Sequence, residues 1–346
     1  MAYTAIDDAG SYFNTKLYTG TGASNAQTGV GFQPDFTWIK NIDAADFHVL
    51  TDAVRGVTDY LVSNDTDAET TNAESLKTFD SDGFTVGTMN EVNTSTEAFV
   101  AWNWKAGTTS GIDTTGVDIT PSAYSFNTTS GISIIKYTGS GVDGAKIAHG
   151  LGAVPHMMII KRLESSNYWA VYHHKSNATP EDHYLVLDTN AAVGNAPIWK
   201  DTVPTSVYYT VDTSTSVNAT DTIVGYFFTS IQGFSKFGSY TGNGNADGPF
   251  VYTGFRPAFV MIKKTNSTGN WCTYDNKRLG YNSNNNELYP DLTNAEGGVT
   301  YVNILSNGFK LISSTSATNN SGDTYVYMAF AHSPFVNSEG VPTNAR

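Results

Sequence analysis

The chain carries one run of motifs twice, about 222 positions apart, with a more divergent third version between them. Each version opens with Tyr-Thr-Gly-x-Gly and continues with an apolar segment that ends in Ile-Lys. These motifs occupy residues 18–22 and 31–40, 137–141 with 152–155 and 157–161, and 240–244 with 254–263. Repeats of roughly 100 residues are too long for solenoid units and have the length of independent domains. The sequence therefore predicts three homologous domains: copy 1 (residues 1–107), copy 2 (131–234) and copy 3 (235–346).

The spacer between copies 1 and 2, residues 108–130, is low in charge and rich in Thr, Ser and Gly. Its residues 117–126 alternate between apolar and polar side chains, which predicts one extra strand. Copies 2 and 3 are joined by about ten residues, and such a short joint limits how far two domains can move. We therefore expect two ordered connections.

The composition predicts an all-β fold. Thr, Ser, Asn and Gly separate short apolar runs, and no stretch keeps an apolar 3.6-residue period over the length of a helix. Copy 1 contains about seven short strand-like segments, and the Asp-Gly step within residues 80–83 is typical of a hairpin. Such a series is typical of a β-sandwich. We predict three tandem antiparallel β-sandwiches, lectin-like or jelly-roll-like, each with its own core.

The charge and the termini exclude several classes of partner. A net charge of −13 opposes binding to phosphate backbones. The first residues lack the features of a signal peptide, and the apolar runs are too short to span a bilayer. We expect no nucleic-acid partner and no membrane insertion. Asn-x-Ser/Thr triplets, which we interpret as products of the composition, begin at Asn93, Asn127, Asn177, Asn218, Asn266 and Asn319.

The sequence contains no phosphate-binding loop, zinc-protease motif or nucleophile-elbow motif. We therefore expect no enzymatic activity and no cofactor. The richest cluster of metal-ligand types contains His173, Asp182 and His183, which would suit zinc or a similar ion. Adjacent strand residues such as His173 and His174 point to opposite faces, however, so surface or turn histidines are the favoured interpretation.

Several carboxylates were considered as a calcium loop or as a catalytic pair. Asp80 and Asp82 resemble the start of an EF-hand loop, but the remaining ligand pattern is absent. A turn is favoured there, and bound calcium stays open. A pair of carboxylates facing each other would be required to cut a glycosidic bond.

Matched carboxylates in copies 1 and 3 have a simpler interpretation. The matches are Asp52 with Asp275 and Glu74 with Glu296. Arg55 and Arg278 follow the two aspartates at the same spacing, which fits a local ion pair or turn brace. Copy 2 departs from this pattern, because residues 173–176 replace Asp-x-x-Arg.

Three tryptophans near predicted strand ends are candidates for contact with carbohydrate. Trp169, Trp199 and Trp271 could stack against sugar rings if they were exposed. The alternative is that they lie in the core, where most large aromatic side chains are found.

The repeated motifs, together with the run at residues 235–244 and the Tyr-Met-Ala-Phe-Ala segment at 327–331, resemble a repeated domain of virion structural proteins from tailed bacteriophages, especially marine ones. The resemblance covers nearly the whole chain. It implies a non-enzymatic protein on the surface of the phage particle, made in the host cytoplasm, as a capsid knob or decoration or as a tail-fibre component. It carries over no catalytic residue.

Host recognition is the alternative function: an adhesin that binds cell-surface carbohydrate or, as a further alternative, a polysaccharide depolymerase. No coiled-coil or collagen-like shaft accompanies the copies, which favours a compact decoration. We expect other virion proteins as partners and a homo-oligomer, with a trimer favoured over three copies that imitate a trimer within one chain. Residues 1–14 are expected to be unpaired and to dock on the particle.

Overall fold

The computed structural model describes residues 3–278, 282 and 285–343. Within these ranges the regular structure is almost all antiparallel β-sheet, with two four-residue α-helices and two short 3-10 helices. None of the described helices has the length and hydropathy to cross a membrane. The predicted all-β class is confirmed.

Copy 1 forms a major sheet and a minor sheet. A 3-10 helix (Ala9–Ser11) comes first, and α1 (Asn90–Asn93) precedes the last strand. The strands are β1 (Phe13–Thr19), β2 (Asn25–Thr28), β3 (Phe36–Asn41), β4 (His48–Asp52), β5 (Asp59–Val62), β6 (Thr70–Thr71), β7 (Leu76–Asp80), β8 (Gly83–Val86) and β9 (Ala98–Trp104). The major sheet has the order β1-β9-β3-β4-β5-β6, and the minor sheet has the order β2-β8-β7.

Copy 2 and the preceding connection form a second pair of sheets. A 3-10 helix (Pro180–Asp182) and α2 (Thr215–Asn218) accompany them. The strands are β10 (Ala123–Asn127), β11 (Ile132–Thr138), β12 (Ala145–Ala148), β13 (Met157–Arg162), β14 (Ala170–His173), β15 (His183–Val186), β16 (Gly194–Asn195), β17 (Tyr208–Val211) and β18 (Thr222–Phe228). The major sheet has the order β10-β11-β18-β13-β14-β15-β16, and β12 pairs with β17.

Copy 3 repeats the arrangement with fewer strands in the described ranges. They are β19 (Ser235–Thr241), β20 (Phe250–Tyr252), β21 (Phe255–Lys264), β22 (Cys272–Asp275), β23 (Val302–Leu305), β24 (Gly308–Leu311) and β25 (Thr324–Pro334). The sheets have the orders β19-β25-β21-β22 and β20-β24-β23. The four central strands therefore follow one order in all three copies, and no described strand pairs with a strand of another copy.

Each major sheet is buried on both faces. In copy 1, Ile39 and Ala101 pack with Phe84 of the minor sheet. Trp38 and Trp102, one position along, belong to a different cluster, because successive side chains of a strand point to opposite faces. All six residues of β3 are consequently buried.

The second faces of the three major sheets meet in one aromatic core. The ring of Phe330 in copy 3 lies 5.1 Å from Phe13 of copy 1 and 6.0 Å from Phe228 of copy 2, measured between centroids. Phe36 of copy 1 lies 4.6 Å from Tyr226 of copy 2. Copies 1 and 2 also have cores of their own. The expectation of one core in each copy is therefore incomplete, because the copies also bury large aromatic surfaces against one another in a shared core.

The N-terminal segment packs against the fold and is not unpaired as expected. Phe13 opens β1, Ile6 and Ala9 are buried, and the Tyr3 hydroxyl donates to the Gly254 carbonyl at 2.8 Å. The extra strand in the connection is present but shifted: it covers residues 123–127 instead of 117–126 and pairs with β11.

The Tyr-Thr-Gly-x-Gly motif closes a loop around a buried asparagine. In copy 1 the Tyr18 hydroxyl donates to the Val92 carbonyl at 2.6 Å, and the Asn93 amide oxygen accepts from the Thr21 N–H at 2.8 Å. The same contacts recur with Tyr137 and Asn218 in copy 2 and with Tyr240 and Asn319 in copy 3. The interpretation of these three Asn-x-Ser/Thr sites as products of composition is therefore wrong.

The first glycine of the motif is required by close packing of the backbone. A Cβ atom at Gly20 would lie 2.0 Å from the Thr94 carbonyl oxygen, and the equivalents at Gly139 and Gly242 would meet carbonyl oxygens at 2.0 and 2.3 Å. The motif that identifies the repeat is thus explained by the fold.

Candidate functional site

Equivalent contacts join the three copies in cyclic order. The backbone N–H groups of Asn167, Gly269 and Asp46 donate to the carbonyls of Thr66, Asn190 and Thr293, at 2.8 to 2.9 Å. Those of Glu69, Val193 and Glu296 donate to the carbonyls of Leu163, Thr265 and Ile42, at 2.8 to 3.0 Å. Each set joins copy 1 to copy 2, copy 2 to copy 3 and copy 3 to copy 1. The chain therefore has a quasi-threefold arrangement.

A buried ion pair braces the turn after β4 in copy 1. The Asp52 carboxylate accepts the backbone N–H of Arg55 at 2.9 Å and its Nε–H at 2.5 Å. The guanidinium also donates to Glu69 at 3.0 Å. Burial opposes the charge on Arg55, but Asp52 and Glu69 raise the pKa of Arg55 above its ordinary value. Asp52 and Arg55 thus form a local ion pair at this turn.

Copy 3 contains the same brace with one correction to its expected members. Arg278 donates to Asp275 and to Glu296, both at 2.6 Å. In copy 1 the place of Glu296 is taken by Glu69, whereas Glu74 pairs with Lys77 at the surface. Glu74 and Glu296, which match in the sequence, are therefore not equivalent in the structure, and the predicted match is wrong.

The neighbouring copy contacts each brace position. Tyr226 of copy 2 donates its hydroxyl to Asp52 at 2.7 Å, and Trp102 of copy 1 donates its indole N–H to Asp275 at 3.2 Å. In copy 2 the position holds His173, and the equivalent of Tyr226 and Trp102 in copy 3 is Met328. His173 instead donates from Nε2 to the Tyr327 carbonyl at 3.2 Å.

Three imidazoles lie together where copies 2 and 3 meet. His156 and His174 stack with centroids 4.1 Å apart, and His173 lies 5.5 Å from His174. His174 donates to the Phe237 carbonyl at 3.0 Å. Burial lowers the pKa of His173 to about 3 and that of His156 to about 4, and Lys175 adds to both shifts.

The candidate metal ligands are not brought together. His183 bonds through its ring to the Thr179 carbonyl and to the Asn195 amide, whereas His173 is buried at the contact with copy 3. Asp182 ends the 3-10 helix before β15. No group of three His, Cys, Asp or Glu suitable for a metal occurs within the described ranges.

The residues considered as a calcium loop form a hairpin turn. Asp80 pairs with Gly83 across β7 and β8. The Asp82 carboxylate accepts the N–H groups of Gly29 and Gly31 at 3.0 and 2.7 Å, and these bonds lower the pKa of Asp82.

The three tryptophans lie in the core, so the proposal that they contact carbohydrate is corrected. Trp169 and Trp199 are fully buried and Trp271 is 2% exposed. The indole N–H of Trp169 donates to the Val62 carbonyl at 3.0 Å, and that of Trp271 donates to Val186 at 2.8 Å. Two of these tryptophans therefore join neighbouring copies, and none of the three offers a face to a sugar.

An open cleft lies between copies 2 and 3, where the brace is missing. Ser176 occupies the position of Arg55 and Arg278, and Val193 that of Glu69 and Glu296. Both residues line the cleft, whose volume is about 460 Å³. The departure of copy 2 from Asp-x-x-Arg is visible in the sequence, whereas no motif marks Val193 as a residue of the cleft lining.

A related cleft of about 440 Å³ lies between copies 1 and 2. Its lining contains Glu69 and Leu163, the equivalents of Val193 and Thr265. Arg55 is fully buried beneath it and pairs with Glu69. The two clefts thus share a position in the fold but differ in their chemistry.

A model of the family described as Domain of unknown function (DUF7483) matches residues 8–334. No curated protein and no solved structure matches the chain. The matched range covers copy 2 and most of copies 1 and 3, including the residues that make the cyclic contacts between them. The chain belongs to this DUF7483 family.

Proposed function

We propose that the protein is a non-enzymatic structural component of a bacteriophage virion, displayed on the particle surface as a capsid decoration or as part of a tail fibre. The observation that carries the proposal is that the residues matched between the copies bond within the fold. The Tyr and Asn of each loop motif, and the Asp and Arg of two copies, all bond within the fold. A shape repeated in all three copies, without a repeated acid–base pair among the described residues, is what a structural component requires. The resemblance of the motifs to phage virion domains supports the same function.

The finer description of the fold is part of the proposal. We infer three tandem homologous β-sandwich copies, lectin-like or jelly-roll-like, with the boundaries 1–107, 131–234 and 235–346. The shared order of the four central strands supports this, as does strand pairing within each copy. Here the copies act as one block, because their major sheets share a core.

Attachment to other virion proteins would depend on shape, apolar contacts and main-chain hydrogen bonds, since the chain has a net charge of −13. A homotrimer is the favoured assembly, because several modest interfaces that engage together bind durably at a symmetric site. The alternative is that a single chain occupies such a site, with its three quasi-threefold copies in place of three subunits.

The proposal is tested on purified phage particles. We expect a gold-labelled antibody against copy 3 to decorate the particle surface, and sedimentation of the purified chain to give the mass of a trimer. Absence of the chain from particles would overturn the virion role. A monomeric chain that still decorates particles would retain that role and reject the trimer.

A further inference from the structure

Copy 2 lacks the ion pair that lies at the equivalent position in copies 1 and 3. Arg55 with Glu69, and Arg278 with Glu296, place a buried guanidinium and a carboxylate between neighbouring copies. Copy 2 has the smaller side chains of Ser176 and Val193 instead. The cleft beside these two residues has a volume of about 460 Å³, which is in the range of small-molecule sites.

The lining of this cleft mixes polar and apolar groups and carries one charge. Lys175 is exposed and is the single charged side chain among the described residues that line the cleft. The others that bear hydroxyls or amides are Ser176, Asn177, Ser239, Tyr240, Thr241, Thr265, Asn266 and Thr324, with Ala178 and Val193 as apolar members.

We propose that the cleft between copies 2 and 3 binds a sugar that carries a carboxylate, of the hexuronic acid class. The Lys175 ammonium pairs with the carboxylate, and the exposed side chains of Asn177, Ser239 and Thr241 bond to the sugar hydroxyls. A lone cation with many neutral polar groups fits one carboxylate on a polyol better than a phosphate, which usually meets arginines or a helix N-terminus. The inference is independent of the virion role, since binding is measured on the purified chain.

The test is saturation-transfer NMR on the full chain with methyl galacturonoside, and with methyl galactoside as the neutral control. We expect transfer to the acidic sugar and at least about tenfold weaker binding of the neutral one, the loss typical of one charge-assisted hydrogen bond. Equal binding of the two sugars, or no transfer to methyl galacturonoside, would overturn the assigned ligand class.

Three variants locate the site. Ser176→Arg with Val193→Glu rebuilds the pair of copies 1 and 3 and should abolish binding. Lys175→Gln, an exposed change that leaves the fold intact, should weaken binding about tenfold. Lys136→Gln in the related cleft between copies 1 and 2 is the matched control and should leave binding unchanged. Binding that survives the first two changes, or that is lost in the control, would place the site elsewhere.

Discussion

Copies 1 and 2 have different side chains at one equivalent position, the turn after β4 in copy 1 and after β14 in copy 2. After β4, copy 1 has a buried Asp52–Arg55 pair that also reaches Glu69. After β14, copy 2 has His173 and Ser176, and the space beside them is an open cleft. The backbone contact to the next copy is the same in both, at 2.8 Å. The cyclic arrangement therefore does not require the ion pair, and the side chains there are free to differ.

The residue of the neighbouring copy that faces the Asp52, His173 or Asp275 position also differs between the copies. Asp52 receives a hydrogen bond from Tyr226 and Asp275 receives one from Trp102. His173 faces copy 3, where Met328, which has no polar hydrogen to donate, holds the equivalent position. A buried carboxylate thus occurs where the neighbouring copy supplies a hydrogen-bond donor, and an imidazole occurs where it does not. This is what the need to pair buried charges predicts.

Removing the guanidinium from copy 1 should have the largest effect on stability. Arg55→Ala leaves the buried Asp52 carboxylate without its ion-pair partner, and breaking a buried pair in this way costs about 3–5 kcal/mol. Urea unfolding of the variant would measure this loss. Lys200→Ala, which removes an exposed pair with Asp143, is the control and should change stability by less than about 1 kcal/mol. Equal effects of the two changes would show that the brace is not a stabilising feature.

The second-largest expected effect is a loss of folding stability in acid, caused by His173 of copy 2. The pKa of His173 is lowered by burial to about 3, so the unfolded chain takes up a proton below about pH 6.5 while the folded chain does not. Stability from this residue is complete above pH 6.5 and falls by about 1.4 kcal/mol for each pH unit below it, or about 2 kcal/mol by pH 5. Urea unfolding between pH 7.5 and 4.5 would show the slope.

His173→Gln isolates that contribution, because it keeps a donor near the Tyr327 carbonyl but does not titrate. The difference in slope between the wild type and this variant is the expected signal. His183→Gln, at an intermediate surface position in the same copy, serves as the control. A pH profile unchanged by His173→Gln would contradict the assignment.

The pairing between the brace position and the facing residue can be tested by a double-mutant cycle. His173→Asp alone buries a carboxylate without a donor, whereas His173→Asp with Met328→Tyr restores the arrangement of Asp52 and Tyr226. We expect a favourable coupling on the order of 1 kcal/mol between the two changes, measured by chemical unfolding. Additive effects would mean that the residues do not interact.

The sequence predicted the elements whose signals are local. The hairpin at residues 80–83 follows from its Asp-Gly step, and the Asp52–Arg55 pair from its spacing.

The remaining features depend on contacts between copies, which spacing along the chain does not reveal. The sequence left both an exposed and a buried position open for Trp169 and Trp271, because their partners, the Val62 and Val186 carbonyls, belong to other copies. Glu69 was missed for the same reason: its equivalence to Glu296 rests on contacts across interfaces and is absent from the motif order.

The smallest expected effect is a gain in stability, opposite in sign to the loss expected for Arg55→Ala. Ser176→Ala is the equivalent in copy 2 of Arg55→Ala, yet it removes a buried hydroxyl that has no partner in the described chain and leaves no charge behind. We expect the free energy of unfolding to rise by less than about 1 kcal/mol, because an unsatisfied polar group is removed from the interior. A loss of stability comparable to that of Arg55→Ala would show that Ser176 bonds to a group that holds copies 2 and 3 together, and would end the contrast between a filled and an open position.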